Sequence, residues 1–279
     1  MRDFRPTEIS EEAFEEITQE VLKKCGLDIG NYKDKCIKRR ISVRMRARGC
    51  RVGEEYLAVL RGDEGEFDRL LTALTINVTQ FFRNYSAFEK IRETVFPALF
   101  ERKGDEGDSS LRIWSVGCSS GEEPYTLAII LKEYFGEELK RFSVEIKATD
   151  VDERMIENAL KGEYDSKSVV EMPAHLVKKY FSEEKGGRIR LVDEIRKMVA
   201  FRRKNILEEK MYKEQDLVLC RNMLIYFTRD QQERIILGLA DALNSGAYLI
   251  LGKAETLVAE SRKRFKSLCM RERIYEKIN

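Results

Sequence analysis

Residues 111–125 read LRIWSVGCSSGEEPY, from Leu111 to Tyr125, and their pattern decides the fold. The first seven, LRIWSVG, are a short apolar run closed by Gly117, the pattern of a buried strand. Gly117-Cys118-Ser119-Ser120-Gly121 follows, a loop of small residues that lets a backbone approach a ligand closely. Residues 121–135 then recur at helical spacing. Strand, small-residue loop and helix together open a sheet that binds its ligand at the carboxyl ends of its strands. A dinucleotide site there would need G-x-G-x-x-G, with amides free to cradle a pyrophosphate. Instead Glu122 and Glu123 occupy the first helical turn. They would repel a pyrophosphate and suit a cation, an ammonium or a sulfonium, which favours S-adenosylmethionine over NAD. A Ser120–Glu123 capping box is an alternative role for the second acid, compatible with the first.

The same grammar extends toward the C-terminus. Residues 144–150 (VEIKATD) read as a second strand, 151–160 as a helix, and 216–222 (DLVLCRN) as another strand. Residues 228–243 read as a helix with a capping box, Thr228 reaching forward and Gln231 back. Residues 247–252 (AYLILG) are a further strand. Alternating strands and helices predict an α/β fold with a mostly parallel, doubly wound sheet. Asp150, at the tip of the second strand, stands where such folds hold both hydroxyls of an adenosine ribose. It could instead cap the next helix, but Asp152 is equally placed for that and frees it. The stretch 161–204 is longer than one crossover needs. Gly186-Gly187, with RIRLV (188–192) and MVAF (198–201) after it, predicts a small antiparallel β insertion over about 165–204.

Upstream, the chain is helical in pattern. Ser10 is an N-cap, Glu11 and Glu12 fall in the first turn, and Phe14, Ile17 and Val21 follow at helical spacing. Residues 33–51 hold nine bases against one acid, Asp34. Ile37, Ile41 and Met45 recur there every four residues, giving one apolar stripe with basic side chains around it. Nucleic acid, an anionic membrane and an acidic protein are the candidate partners. Aromatics are absent from the basic core of the stretch and no N-P-P-Y-like base clamp occurs, so nucleic acid is not expected.

Composition excludes several classes. Of 279 residues, 43% are hydrophobic and 36% charged, with 51 bases balancing 49 acids. Six irregularly spaced cysteines form no C-x-x-C pair, so no metal site is expected, and reduced thiols suit a cytoplasmic protein. Neither a signal peptide nor a membrane-length apolar run is evident. The single histidine, His175, closes off histidine-pair metal mechanisms and reads as an ordinary helix residue.

Four motifs now carry a family resemblance. Asn77-Val78-Thr79-Gln80-Phe81-Phe82-Arg83-Asn84 resembles the N-x-T-x-F-F-R signature of CheR-type chemotaxis receptor methyltransferases. Residues 114–125 resemble their W-S-x-x-x-S-x-G-E-E-P-Y motif, Ala148-Thr149-Asp150-Val151-Asp152 their A-[ST]-D-I-D, and Cys220-Arg221-Asn222-Met223-Leu224-Ile225-Tyr226-Phe227 their C-R-N-x-x-I-Y-F. The motifs occur in family order, and the resemblance covers essentially the whole chain. Departures are small: Val78 and Gln80 fall at variable positions, and Gly117 and Cys118 replace small residues with small ones.

The resemblance implies a helical N-terminal domain, residues 1–75, joined to a class I (Rossmann-like) methyltransferase domain, residues 76–279, carrying the β insertion. It implies S-adenosylmethionine as cofactor and S-adenosylhomocysteine as product. Asn77, Thr79, Arg83, Glu123, Asp150, Asn205, Ile206, Cys220 and Arg221 would line the cofactor pocket, Asn205 and Ile206 through a local match at residues 204–207 alone. Arg83 and Tyr226 would lie beside the transferred methyl. A monomeric protein-glutamate O-methyltransferase acting on cytoplasmic helical domains of chemoreceptors is the implied function. Lys38, Arg44, Arg46 and Arg48 would be free to dock that acidic substrate. Whether a receptor-tail peptide binds the β insertion is left open. The rivals are a nucleic-acid methyltransferase on the same fold and a binding module that has lost turnover. A glutamate, with reference pKa about 4.3, is already ionised near neutrality and needs no general base.

Overall fold

The computed structural model describes residues 7–25, 27–75, 79–207 and 210–278. The chain divides into two compact units, residues 1–77 with 226–231, and residues 78–225 with 232–279.

The first unit is built on α1 (Glu11–Cys25), α2 (Asp34–Arg48), α3 (Gly53–Gly62) and α4 (Glu64–Leu74). Ser10 caps α1 as its sequence predicts, its Oγ accepting from the Ala13 N–H at 3.1 Å. Ile37, Ile41 and Met45 of α2 are fully buried, alongside Ile17, Val21, Tyr56, Leu60 and Leu70. At the heart of the unit lies a carboxylate, Glu66, with no exposed surface. Arg44 holds it in a forked pair, Nε at 2.9 Å and Nη2 at 2.7 Å, and the Tyr56 hydroxyl donates to it at 2.9 Å. Burial pushes this carboxyl up, but the hydrogen bonds from Arg44 and Tyr56 and the charges of Arg44 and Arg48 outweigh it and hold Glu66 below its ordinary range.

That arrangement bears on the expected docking set. Arg44 belongs to the fold of the helical unit, and Arg48 pairs with Asp63 at 3.0 Å. Lys38 pairs with Glu11 at 2.5 Å and sits 4.7 Å from the centre of the Phe14 ring. Among the described residues Arg46 alone of the four is exposed without an ion pair, its Nε donating to the Ser42 carbonyl one turn back.

Residues 226–231 join the helical unit although they lie far along the chain. The Lys33 N–H donates to the Tyr226 carbonyl at 2.9 Å, and the Thr228 N–H to the Asn31 carbonyl at 3.2 Å. The expected Thr228–Gln231 capping box does not form, because the Thr228 N–H that Gln231 Oε1 would have accepted goes to the Asn31 carbonyl, while Gln231 Nε2 donates to Asn31 Oδ1 at 2.7 Å.

In the second unit a seven-stranded sheet has the order β6-β2-β1-β7-β8-β10-β9. Its strands are β1 (Ser110–Val116), β2 (Ser143–Asp150), β6 (Val199–Arg203), β7 (Gln215–Cys220), β8 (Leu243–Leu251), β9 (Phe265–Cys269) and β10 (Ile274–Lys277). β6, β2, β1, β7 and β8 run parallel, and β10 is antiparallel to both its neighbours. Its helices are α5 (Tyr85–Lys90), α6 (Phe96–Asp105), α7 (Glu122–Tyr134), α8 (Glu138–Arg141), α9 (Glu153–Lys161), α10 (Ala174–Tyr180), α11 (Asp193–Arg196) and α12 (Arg229–Ala242). All six residues of β7 are buried, as a central parallel strand requires. His175 is an exposed residue of α10.

A small sheet, β3-β5-β4, is inserted between α9 and β6, from β3 (Glu163–Asp165), β4 (Phe181–Glu184) and β5 (Arg188–Leu191). Gly186 and Gly187 turn the chain between β4 and β5, as expected. The second expected strand of the insertion is corrected. Val199–Arg203 pairs in parallel with β2, Ile146 opposite Val199, and belongs to the main sheet. Partners of β5 come instead from the residues before the Gly-Gly turn, β4, and from β3, just after α9.

Arg44→Ala should lower unfolding free energy by about 3–5 kcal/mol, because it strands a buried carboxylate. Arg46→Ala on the exposed face should change it by less than about 0.5 kcal/mol. Urea unfolding followed by circular dichroism compares the two, and equal small losses would remove Glu66 from the fold's essential contacts.

Candidate functional site

The strand order reverses at β1, with β2 on one side and β7 on the other, and Val116 lies opposite both Thr149 and Cys220. Such a reversal opens a crevice at the carboxyl ends of the strands. The loop from Gly117 to Gly121 lies there, and its backbone is unusual. Gly117 has φ 68°, Ser119 φ 49° and Gly121 φ 93°. A Cβ at Gly121 would stand 2.9 Å from the Ala159 Cβ and 3.0 Å from the Phe201 ring, so only glycine fits.

Hydrogen bonds account for that shape. Gly117 and Cys118 both donate to the Thr149 carbonyl, at 2.8 and 3.0 Å, and Gly121 to the Cys118 carbonyl at 3.0 Å. Ser119 donates to Asp150 Oδ2 at 2.8 Å. These four amides are therefore occupied inside the protein. A pyrophosphate would need them free, so the loop geometry disfavours a dinucleotide independently of the acids.

Of the two aspartates, Asp152 takes the capping role expected of it. Asp152 caps α9, accepting from the Arg154 N–H at 3.1 Å. Asp150 accepts from Ser119 and, at 3.0 Å, from the Asp152 N–H, and burial pushes its carboxyl above the ordinary range. The glutamates separate as well. Glu122 is 4% exposed, binds Ser120 Oγ and Thr79, and is pushed up to about 7 by burial. Glu123 is partly buried, receiving the Ser115 hydroxyl at 2.9 Å and Arg221 Nη1 at 3.0 Å. Gly121 is the N-cap of α7, and no Ser120–Glu123 capping box forms.

Arg221 ties several of these parts together. Besides Glu123, its Nη2 donates to the Arg83 carbonyl at 2.8 Å and to Asn84 Oδ1 at 3.3 Å, and its guanidinium lies 5.0 Å from the Phe88 ring centre. It thus links β7 to the motif that carries Arg83. Cys220 ends β7 fully buried, its thiol pushed up by burial. Asn205 and Ile206 follow β6, and the Lys204 N–H donates to the Asp150 carbonyl at 2.8 Å, so this segment starts beside the tip of β2. Thr79 reaches Glu122, and Arg83 is half-buried. Asn77 lies outside the described residues. Tyr226 groups with the helical unit, where the Arg40 guanidinium covers its ring at 4.8 Å.

Some participants escaped sequence reasoning. Ser119 Oγ is buried at the crevice loop with no hydrogen-bond partner among the described residues, as is Arg221 Nε. Met223 packs on the same loop, its sulfur 2.9 Å from where a Gly117 Cβ would stand. Ser119 had a signal, a hydroxyl among small residues after a strand; Met223 had none. An orphaned hydroxyl, acids of differing burial and a loop with its amides already occupied fit a cationic, hydroxyl-bearing ligand such as S-adenosylmethionine. Asp150, Ser119, Glu122 and Glu123 are the side chains at this loop that would hold such a ligand.

Comparison with known proteins agrees. Residues 77–274 match the CheR methyltransferase SAM-binding domain, and residues 12–75 the CheR methyltransferase all-alpha domain. A chemotaxis protein methyltransferase of Borreliella burgdorferi is 30% identical over 253 residues, covering 89% of each chain. One of Listeria innocua is 35% identical over 242 residues, covering 86% of this chain and 88% of its own. Chemotaxis protein methyltransferase 1 of Pseudomonas aeruginosa is 33% identical over 240 residues, covering 84% of this chain and 86% of its own. Helical unit and sheet unit are matched separately by the two halves of one family, so the chain belongs to the CheR methyltransferases and takes S-adenosylmethionine as its cofactor.

Proposed function

We propose that the protein is a cytoplasmic, monomeric protein-glutamate O-methyltransferase that esterifies acidic helical segments of chemoreceptors. Supporting it are the relatives named as chemotaxis protein methyltransferases and, above all, one face of α2. Lys35, Arg39, Val43 and Arg46 are all exposed there, and Lys35 and Arg39 have no hydrogen bond or ion pair among the described residues. This face carries unpaired positive charge around an exposed valine, 50% open. An acidic amphipathic helix fits it. The docking set is therefore Lys35, Arg39 and Arg46, replacing Lys38, Arg44 and Arg48. A receptor-tail peptide, if the receptor has one, would add to the outer edge of β4, by strand addition.

The cofactor supplies an electrophilic methyl on a sulfonium sulfur, and transfer to a carboxylate oxygen leaves a neutral thioether. The pocket is assigned to Asn77, Thr79, Arg83, Glu123, Asp150, Asn205, Ile206, Cys220 and Arg221. Arg83 holds one oxygen of the incoming glutamate by a charge-assisted hydrogen bond and aims the other. Tyr226 donates its hydroxyl to the same group. No proton has to be removed, so alignment and exclusion of water carry the rate, a kind of effect worth about 7–11 kcal/mol. Arg221 acts on this chemistry through Glu123 and the Arg83 backbone.

Methyl-labelled cofactor incubated with receptor-bearing membranes should give base-labile label on protein; stable label on nucleic acid, or none, would reject the proposal. In that assay Arg39→Glu with Arg46→Glu should reduce labelling severalfold, as should raising salt from 0.1 to 1 M, which shortens screening from about 10 to about 3 Å. S-adenosylhomocysteine affinity should stay unchanged in the double variant. Labelling indifferent to both changes would leave this face merely solvated.

Asp150→Ala should weaken S-adenosylhomocysteine binding by about 1.5–3 kcal/mol, since it removes charged hydrogen bonds. Calorimetry on the folded variant reads this directly, and unaltered affinity would return Asp150 to a purely loop-forming role.

Glu122 makes a pH prediction. Its carboxyl titrates near 7 in the folded chain, against an ordinary value of 4.5. Between those values the native state holds a proton that the unfolded state has lost. Stability from this group is therefore present at low pH and declines as pH rises from about 4.5 to about 7. Ligand-free Glu122→Gln should gain melting temperature over the parent at pH 8 and match it near pH 4.5. Parallel melting profiles across that window would contradict the assignment.

A further inference from the structure

Just past β8, Glu255 is 4% exposed and belongs to none of the motifs above. Its carboxylate faces backbone amides. Oε2 accepts from the Gly252 N–H at 2.6 Å and the Asn222 N–H at 2.9 Å. Oε1 accepts from the Ile225 N–H at 3.3 Å, and the Leu224 amide also bonds to this carboxylate. Three of those four donors belong to the segment that leaves β7. Asn222 holds a left-handed φ of 60°, which turns the chain so that its following amides converge on one point. With no acceptor there, the buried Gly252 N–H and the part-buried Asn222 N–H would lose a hydrogen bond each.

The segment so held is the one that presents cofactor-pocket side chains. Cys220 and Arg221 precede the left-handed turn, and Arg221 reaches Glu123 and the Arg83 carbonyl. Met223, inside the turn, packs against Gly117 of the crevice loop. Packing around the carboxylate is tight from the other side as well. A Cβ at Gly252 would lie 2.6 Å from Glu255 Oε2 and 2.8 Å from the Asn222 nitrogen.

We infer that Glu255 is a positioning residue for methyl transfer: its carboxylate gathers the amides of Gly252, Asn222, Leu224 and Ile225, and so sets the segment that carries Cys220, Arg221 and Met223 to the cofactor. It touches neither cofactor nor substrate and acts through that segment. The inference rests on the crevice being the cofactor site. Burial pushes Glu255 above the ordinary carboxylate range, while the amides favour its ionised form. The thiol facing it, Cys220, is pushed up by burial and by the charges of Glu255 and Glu123.

Two substitutions approach this contact from opposite sides. Glu255→Gln keeps the volume but turns an amide N–H₂ toward amide donors. Gly252→Ala leaves the carboxylate in place and wedges a methyl between it and Asn222. Each variant would be examined for S-adenosylhomocysteine affinity by calorimetry, turnover at saturating cofactor, and amide exchange along the chain. Both should bind S-adenosylhomocysteine about tenfold or more weakly, as loss of a charged hydrogen-bond cluster predicts. Amides 222, 224 and 225 should exchange faster while those of β1 and β2 keep their protection, and the double variant should be little worse than either single one. Faster exchange at those amides with unchanged affinity and turnover would reduce Glu255 to a structural hydrogen-bond acceptor and overturn the inference. If Glu255→Gln does not fold, Gly252→Ala decides alone on the same readouts. A parent protein that fails to bind S-adenosylhomocysteine would instead overturn the site assignment itself.

Discussion

A carboxylate buried at the end of a strand must be met by donors, and in the sheet unit the backbone supplies them. Leaving such a charge unpaired costs several kcal/mol, so the chain bends to provide amides. Asp150, at the tip of β2, takes those of Ser119 and Asp152. Glu255, past β8, takes those of Gly252, Asn222 and Ile225. The acceptors stand on the strands flanking β1 and β7, and the loops they shape are those that leave β1 and β7. Each loop contains a non-glycine residue in the left-handed region, Ser119 at 49° and Asn222 at 60°. Strain of that kind persists only where the surroundings over-determine it. Topology places the crevice, and two acids fix the loops on either side of it.

The choice of ligand follows from the same bonds. An anion-binding strand-loop-helix unit leaves its amides pointing outward. Here Gly117, Cys118, Ser119 and Gly121 donate inward, to Thr149, Asp150 and Cys118. Side-chain oxygens of Glu123, Asp150 and Ser119 border the loop, the Ser119 hydroxyl buried and without a hydrogen-bond partner among the described residues. Glycine supplied close approach without supplying a phosphate cradle. Two families of fold with the same opening grammar are thus separated by where four N–H groups point.

Much of this was legible in residues 111–125 and around Asp150. The strand-loop-helix pattern, the acids in the first turn and the release of Asp150 by an Asp152 cap are local chemistry, and local chemistry shows in sequence. Contacts between distant segments did not show. Residues 198–201 looked like part of the insertion because two short runs after a Gly-Gly turn have no visible partner, and parallel pairing with β2 leaves no mark on spacing. Gln231 looked like a capping residue, but Asn31, 200 positions earlier, bonds its side-chain nitrogen and takes the Thr228 N–H that the cap would have used. Glu255 carried no signal at all, since an acid that binds only backbone has no complementary residue type to betray it.

The basic helix marks a case where the missing information was present in the sequence and needed only geometry. At 3.6 residues per turn each position advances about 100°. Measured from Ile41 at the centre of the buried stripe, Arg48, Lys38 and Arg44 fall within about 60° of it. Side chains there border the core and meet acids of neighbouring helices, as Asp63, Glu11 and Glu66 show. Lys35, Arg46, Arg39 and Val43 fall about 120–160° away, on the face opposite the core. Long basic side chains beside an apolar stripe cover it with their stems and find partners, whereas those opposite it have only solvent. A count of nine bases treats them alike. Their angle to the stripe sorts those that build the helical unit from those that give its surface a charge another molecule can read.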